Sequence, residues 1–137
     1  MIFQLKIVIF YFRIQKILNI TTMAFTKEEH KKWDTLVGQY IEEQRPPERI
    51  RDQVDLSYSI EDQSIEIFEI RPRFDNPEEK VREMAAKTTW VKRQQIWKVY
   101  WQRADMKWHG YEPVPQVDTL QEFLELVEED EFACFWG

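Results

Sequence analysis

Length, composition and charge limit the class of protein that this sequence can encode. The chain has 137 residues, of which 43% are hydrophobic and 32% charged, enough for one globular domain whose core needs neither a metal nor disulfides. Its net charge of −6 excludes a protein that is basic over its whole surface. The single cysteine, Cys134, cannot form an intramolecular disulfide, so we expect a cytoplasmic protein with no disulfide framework.

Residues 1–22 differ in composition from the rest of the chain. Three basic residues interrupt the apolar ones, so the longest apolar run, residues 7–12, is far shorter than the ~20 residues that span a bilayer. We therefore expect neither a membrane anchor nor a signal peptide. We interpret residues 1–22 as an extension upstream of a natural start at Met23, the alternative being an amphipathic segment on a membrane surface. The predicted domain spans residues 23–137.

A capping box predicts the first helix. Thr26 precedes Glu29 by three residues, which is the spacing for reciprocal bonds between side chain and backbone, so the helix should begin at Lys27. Pro46 should end it near Gln44. Its buried stripe follows helical spacing: Trp33, Leu36, Val37, Tyr40 and Ile41.

Pro47, which suits a first helical position, predicts a short helical turn after this helix. Alternating apolar and polar residues then predict two strands. The first strand has four apolar residues at a spacing of two: Val54, Leu56, Tyr58 and Ile60. A turn at residues 61–63 leads to the second strand, residues 64–71, which Pro72 closes. Residues 76–86 show no clear period and are interpreted as a loop or short helix.

Four of the six tryptophans lie within residues 90–111. Strand-forming residues alternate there with Lys and Gln, and polar residues at 93–95 and 103–105 indicate turns, so this stretch predicts three antiparallel strands. A second capping sequence predicts a terminal helix over residues 120–129. Three late aromatic residues predict that the C-terminus folds back onto the body: Phe132, Phe135 and Trp136.

These elements together predict a two-layer α+β domain. An antiparallel sheet of about five strands should carry two main helices on one face. In the central strand Trp97, Val99 and Trp101 share one side by parity, and we expect the helices to cover this tryptophan face.

Several short sequences occur in an order that resembles a known family: Arg45-Pro46-Pro47, Ile67-Phe68-Glu69-Ile70-Arg71-Pro72-Arg73, Tyr100-Trp101-Gln102-Arg103-Ala104-Asp105, Lys107-Trp108-His109 and Cys134-Phe135-Trp136-Gly137. They resemble the bacterial domain-of-unknown-function family numbered 3024, over about Met23 to Gly137. The resemblance supports a single small domain and leaves residues 1–22 unmatched. It implies no activity, cofactor or catalytic residue.

The sheet face opposite the tryptophans is predicted to be basic and aromatic. Parity assigns seven side chains to it: Arg71, Arg73, Lys98, Tyr100, Lys107, His109 and Tyr111. Exposed rings on a sheet can stack on bases while Arg and Lys contact phosphates. We therefore expect a non-catalytic binding module for an anionic partner such as single-stranded nucleic acid. An ordinary solvated face, with Glu66 and Glu69 paired to cations across strands, is the simpler interpretation.

Other functions stay open on the sequence alone. A partner protein is the first alternative, because the sheet face or an exposed strand edge can dock another chain. A second is a metal-dependent nuclease built on Asp55, Glu69 and Lys87, since two carboxylates suit divalent-metal chemistry.

Asp105 and His109 have the spacing of an acid/base pair across a turn, but no Ser or Cys nucleophile is indicated for them. A structural role fits better, with Arg103 stacked on a neighbouring tryptophan and paired with Asp105. We expect no catalytic residue, metal ligand or cofactor.

Overall fold

The computed structural model describes residues 24–137. The predictions made for residues 1–22 and for the start at Met23 lie outside the described residues. The elements run in this order: α1 (Lys27–Gln44), a 3₁₀ turn (Glu48–Ile50), β1 (Asp55–Glu61), β2 (Ser64–Pro72), β3 (Lys80–Val91), β4 (Ile96–Gln102), β5 (Trp108–Gly110), β6 (Gln116–Val117) and α2 (Leu120–Glu129).

All the strands pair antiparallel, in the order β1-β2-β3-β4-β5, and β6 pairs with β4 beside β5. The predicted α+β architecture is confirmed, with a sixth, two-residue strand added. Neither helix of the described part of the chain is long and apolar enough to cross a membrane.

The first helix begins where its capping box predicts. The Thr26 hydroxyl accepts the Glu29 N–H at 3.1 Å, and the Glu29 carboxylate accepts the Thr26 N–H at 3.0 Å. Two of the N–H groups that a helix start leaves without partners are thereby satisfied. The predicted bounds of Lys27 and Gln44 are confirmed.

The prediction of a loop or short helix over residues 76–86 is wrong. Residues 80–91 form β3, a strand of 12 residues, and only residues 73–79 connect it to β2. The β2–β3 register shifts at Ala85, because Ile67 pairs with Ala86 whereas Phe68 pairs with Met84. This bulge inserts one residue and breaks the two-residue alternation that strand prediction relies on.

The helices cover the tryptophan face of the sheet, as predicted. The Trp97 side chain is 1% exposed. Its ring centroid lies 5.1 Å from Trp33 of α1, 5.1 Å from Trp90 of β3 and 5.8 Å from Phe25. Helix α2 adds a buried stripe from the other end of the layer: Leu120, Phe123, Leu124 and Val127.

The C-terminus folds back onto this core through Asp130. The Asp130 carboxylate accepts the N–H groups of Phe135 and Trp136, each at 3.0 Å. Phe135 is buried, and the Trp136 indole donates to the Val127 carbonyl at 2.9 Å. The prediction holds for these two residues but is wrong for Phe132, which is 57% exposed.

A bidentate ion pair joins the end of α1 to the start of β1. Arg45 Nε and Nη2 donate to the Asp55 carboxylate at 3.0 and 2.9 Å, and Arg45 Nη1 donates to Glu42 at 2.8 Å. The Arg45 guanidinium, with help from the Leu56 N–H, holds the pKa of Asp55 below its usual range. This charged bond fixes where the chain turns from the helix layer into the sheet.

Trp97→Ala is expected to lower the free energy of unfolding by about 3–5 kcal/mol, because a buried ring is replaced by a cavity. Trp101→Ala should cost less, since the Trp101 side chain is only half-buried. Chemical denaturation of the two variants measures the difference. Equal midpoints for wild type and Trp97→Ala would contradict the assigned core.

Asp55→Asn is expected to lower the free energy of unfolding by about 1 kcal/mol at neutral pH. Because the folded-state pKa of Asp55 is depressed, its contribution is complete above the ordinary pKa of about 3.9 and is lost as the pH falls through the folded-state value. The variant should therefore lose less stability on acidification than wild type.

Denaturation midpoints at several pH values between neutral and acidic measure this effect. Asp75→Asn is the matched control, because Asp75 pairs with Arg73 in an exposed loop. An acid response of Asp55→Asn identical to that of wild type would show that the pair does not stabilise the fold.

Candidate functional site

The strand register assigns side chains to the two faces of the sheet. Val99 lies in the core beneath the helices, so its strand neighbours Lys98 and Tyr100 point to the opposite side. Tyr100 pairs with Lys87, and Gln102 pairs with Trp108. We call this side the outer face and define it by five residues: Arg82, Lys87, Lys98, Tyr100 and Trp108.

The centre of the outer face is a lysine close to two aromatic rings. The Lys87 ammonium lies 5.9 Å from the centroid of Tyr100 and 5.7 Å from that of Trp108. Both distances are within cation–π range. Both rings are partly exposed, so aromatic surface and positive charge are presented together.

Two further cations flank this centre. Lys98 is exposed on β4, and the Arg82 guanidinium lies 4.4 Å from the centroid of Phe68. Among the charged groups described for residues 24–137, no carboxylate is within ion-pair distance of Arg82, Lys87 or Lys98. Glu66 lies opposite Lys87 in the β2–β3 register, on the same face of the sheet.

Two of the seven residues predicted for this face lie on it, namely Lys98 and Tyr100. Arg71 does not, because it follows Glu69 by two residues on β2, and Glu69 pairs with the core residue Leu56. The prediction for Arg71 is therefore wrong. Its Nε donates to the Glu69 carboxylate at 2.6 Å, and Glu83 lies 3.5 Å away.

Arg73 lies beyond the end of β2, in the loop to β3. Its guanidinium pairs with Asp75 at 2.6 Å and with Glu79 at 2.7 Å. The hydrogen bonds that the Arg73 guanidinium donates to these carboxylates raise the pKa of Arg73. Arg73 is therefore part of a neutralised loop rather than of the outer face.

The remaining three predicted residues fail for a common reason. Their assignment to the face opposite the tryptophans puts Trp108, which alternates with them, on the helix side, but Trp108 pairs with Gln102 and lies on the outer face. His109 therefore pairs with Trp101 on the tryptophan side, and Lys107 lies exposed in the turn before β5. Tyr111 is 2% exposed and packs 4.7 Å from Phe135, and this burial raises the pKa of its hydroxyl.

The Asp105–His109 pair closes the β4–β5 turn. The Asp105 carboxylate accepts the Lys107 N–H at 2.9 Å and bonds to His109 Nε2 at 2.8 Å. Both bonds lower the pKa of Asp105, and the bond from Lys107 has the larger effect. Arg103 stacks on Trp101, with 5.1 Å from guanidinium to ring centroid, as predicted. The bonded partner of Asp105 is His109 rather than Arg103.

The residues proposed for a nuclease site are not assembled. The Asp55 carboxylate is occupied by Arg45, and Glu69 is bonded to Arg71. Lys87 lies on the outer face, opposite to the side of Glu69. Residues 24–137 contain no group of three His, Cys, Asp or Glu side chains placed to hold a metal ion.

The sequence reasoning missed Arg82, Lys87 and Trp108. Lys87 and Arg82 fall on either side of the bulge at Ala85, where alternation is interrupted. The strand-forming residues Thr88, Thr89 and Trp90 were an available signal for a strand that begins earlier. The face on which Trp108 lies depends on the length of the turn that precedes it, which the sequence does not give.

Comparison with known protein families gives a match over most of the chain. The model of the family described as Domain of unknown function (DUF3024) matches residues 25–137. A search of curated proteins and a search of solved structures find no match. The matched range includes every strand and helix described above, and the chain belongs to the DUF3024 family.

Proposed function

We propose that the outer face binds single-stranded nucleic acid without catalysis. The observation that carries the proposal is the Lys87 ammonium within cation–π distance of two partly exposed rings, those of Tyr100 and Trp108. The two rings would stack on successive bases, and Lys87, with Lys98 and Arg82 beside it, would contact phosphates. Proteins that bind single-stranded nucleic acid without reading its sequence use this arrangement, in which one face of a sheet presents both aromatic rings and cations.

The charge distribution supports an anionic partner. The whole chain carries −6, and some arginines outside this face, such as Arg71 and Arg73, are paired with carboxylates. The outer-face cations have no such partner within the described residues. A local positive surface on an acidic protein attracts a polyanion at short range, while the net charge reduces non-specific attraction at long range.

The acidic helix α2 lies in the other layer. Its solvent side carries Glu122, Glu125, Glu128 and Glu129, whereas its apolar stripe packs on the core. The sheet therefore separates the main acidic surface from the cationic one. This separation lets one small acidic domain present a polyanion site, and we propose that it does so in the bacterial cytoplasm.

Fluorescence titration of the full chain with oligothymidylate and oligouridylate is expected to show binding that weakens as salt rises. Three phosphate contacts predict a slope of about −2 in log K against log salt for a single strand. Tryptophan emission serves as the signal, because Trp108 lies in the proposed contact. A flat salt response would contradict phosphate contacts by these residues.

Substitutions test the two parts of the contact separately. Tyr100→Ala should cost ~1–3 kcal/mol of binding free energy through lost stacking, and Lys98→Ala should flatten the salt slope by about 0.7. Arg73→Ala is the control, because its charge is already paired off this face. If Arg73→Ala weakens binding as much as Lys98→Ala does, the outer face is not the site.

A further inference from the structure

The two edges of the sheet are built differently. One edge is formed by β5 and β6, which have three and two residues, and short strands protect an edge from pairing with other chains. The other edge is β1, whose seven residues pair with β2 in unbroken register. β1 contains no proline, lysine or bulge, and its charged residues, Asp55 and Glu61, lie only at its two ends, so its central part lacks the features that usually block strand addition.

The backbone of β1 offers a row of hydrogen-bonding groups along this edge. A two-residue turn joins Glu61 to Ser64, so Glu61 and alternate residues before it bond to β2. The N–H and C=O groups of Leu56, Tyr58 and Ile60 then point away from β2. The Leu56 N–H agrees with this assignment, because it is taken by the Asp55 side chain at 2.8 Å.

The other outward groups of β1 have no partner within residues 24–137. No backbone or side-chain hydrogen bond of the described chain reaches the N–H of Tyr58 or Ile60, or the carbonyls of Leu56, Tyr58 and Ile60. An added strand would satisfy them in the regular antiparallel or parallel pattern.

A groove lies beside this edge, between β1 and α1. Its volume is about 500 Å³, and both elements line it. Gly38 lets the helix approach closely, because a Cβ there would lie 2.9 Å from the Tyr58 hydroxyl. That hydroxyl donates to the Asp34 carboxylate, which holds the helix and the strand at a fixed separation.

We propose that this groove binds an extended peptide with basic side chains, which adds to β1 as a seventh strand. The groove contains three carboxylates and one guanidinium: Asp34, Glu42, Asp55 and Arg45. Arg45 is bonded to two of the carboxylates, so the lining keeps a net negative charge. Backbone bonds to β1 supply affinity, and alternate Lys or Arg side chains of the peptide meet this acidic wall.

A second copy of the chain fits this edge poorly. Antiparallel pairing of two β1 strands about Tyr58 would place Asp55 opposite Glu61 at both ends. Like charges directly opposite each other destabilise a strand pair. The acidic ends of β1 therefore favour a basic partner over self-association.

Strand addition makes a test possible with the unmodified protein. The probe is a fluorescent, end-capped heptapeptide of alternating Lys and Val, measured by anisotropy against the full chain. An added strand bonds to the edge through every second residue, so N-methylation of one alternate set should weaken binding about tenfold or more, and methylation of the other set should have little effect.

Charge in the groove is tested by a matched pair of substitutions. Gln39→Lys adds a positive charge to the groove lining, and Gln121→Lys adds the same charge to an exposed position on α2. The first should weaken binding of the Lys/Val peptide several-fold, and the second should not. A Glu/Val peptide of the same length should bind more weakly than the Lys/Val peptide.

Three outcomes of the peptide measurements would overturn the proposal. They are absence of peptide binding at low salt, equal sensitivity to both methylation patterns, and equal effects of the two lysine substitutions. A dimer detected by concentration-dependent mass that excludes the peptide would also overturn it, and would assign the edge to a second copy. None of these outcomes bears on nucleic-acid binding, because the outer face and the groove use different residues.

Discussion

The packing around Trp97 is the contact on which the rest of the fold depends. The ring lies on β4, and it is touched from the helix layer by Trp33 and from the next strand by Trp90. Val117 of β6 pairs with Trp97 in the sheet. One residue thus joins the first helix, a neighbouring strand and, through strand pairing, the segment that leads into α2.

This packing leaves one polar group, on Trp33, without a hydrogen bond. The indole N–H of Trp33 is buried without a hydrogen-bond partner in the described chain, and such a group costs about 1–3 kcal/mol. The Trp33 ring meets Trp97 edge-on, with 86° between the ring planes. Edge-to-face packing of aromatic rings and the burial of two large side chains offset the lost hydrogen bond.

The helices were predictable from the sequence because their signals are local. Thr26 and Glu29 are three residues apart, and both halves of their capping box form. Thr119 likewise accepts the Glu122 N–H at 3.2 Å, so α2 begins where its cap predicts. In such cases the residues that decide the structure are adjacent in the chain, and distant partners do not alter the outcome.

The faces of the sheet were only partly predictable, because they depend on register. The bulge at Ala85 and the turn at residues 103–107 each shift alternation by one residue, and a shift of one exchanges the two faces. His109 and Tyr111 were therefore assigned to the wrong side, and Trp108 was missed. Lys98 and Tyr100 were assigned correctly because β4 runs between these irregularities without a break.

The charge available at a surface depends on which cations are already paired, which the sequence does not reveal. Arg45 and Arg73 each bond to two carboxylates, so they hold the chain together and contribute little to an outside partner. Lys87 is close to aromatic rings instead. A ring attracts a cation without cancelling its charge, and for this reason the outer face remains positive on a protein whose net charge is negative.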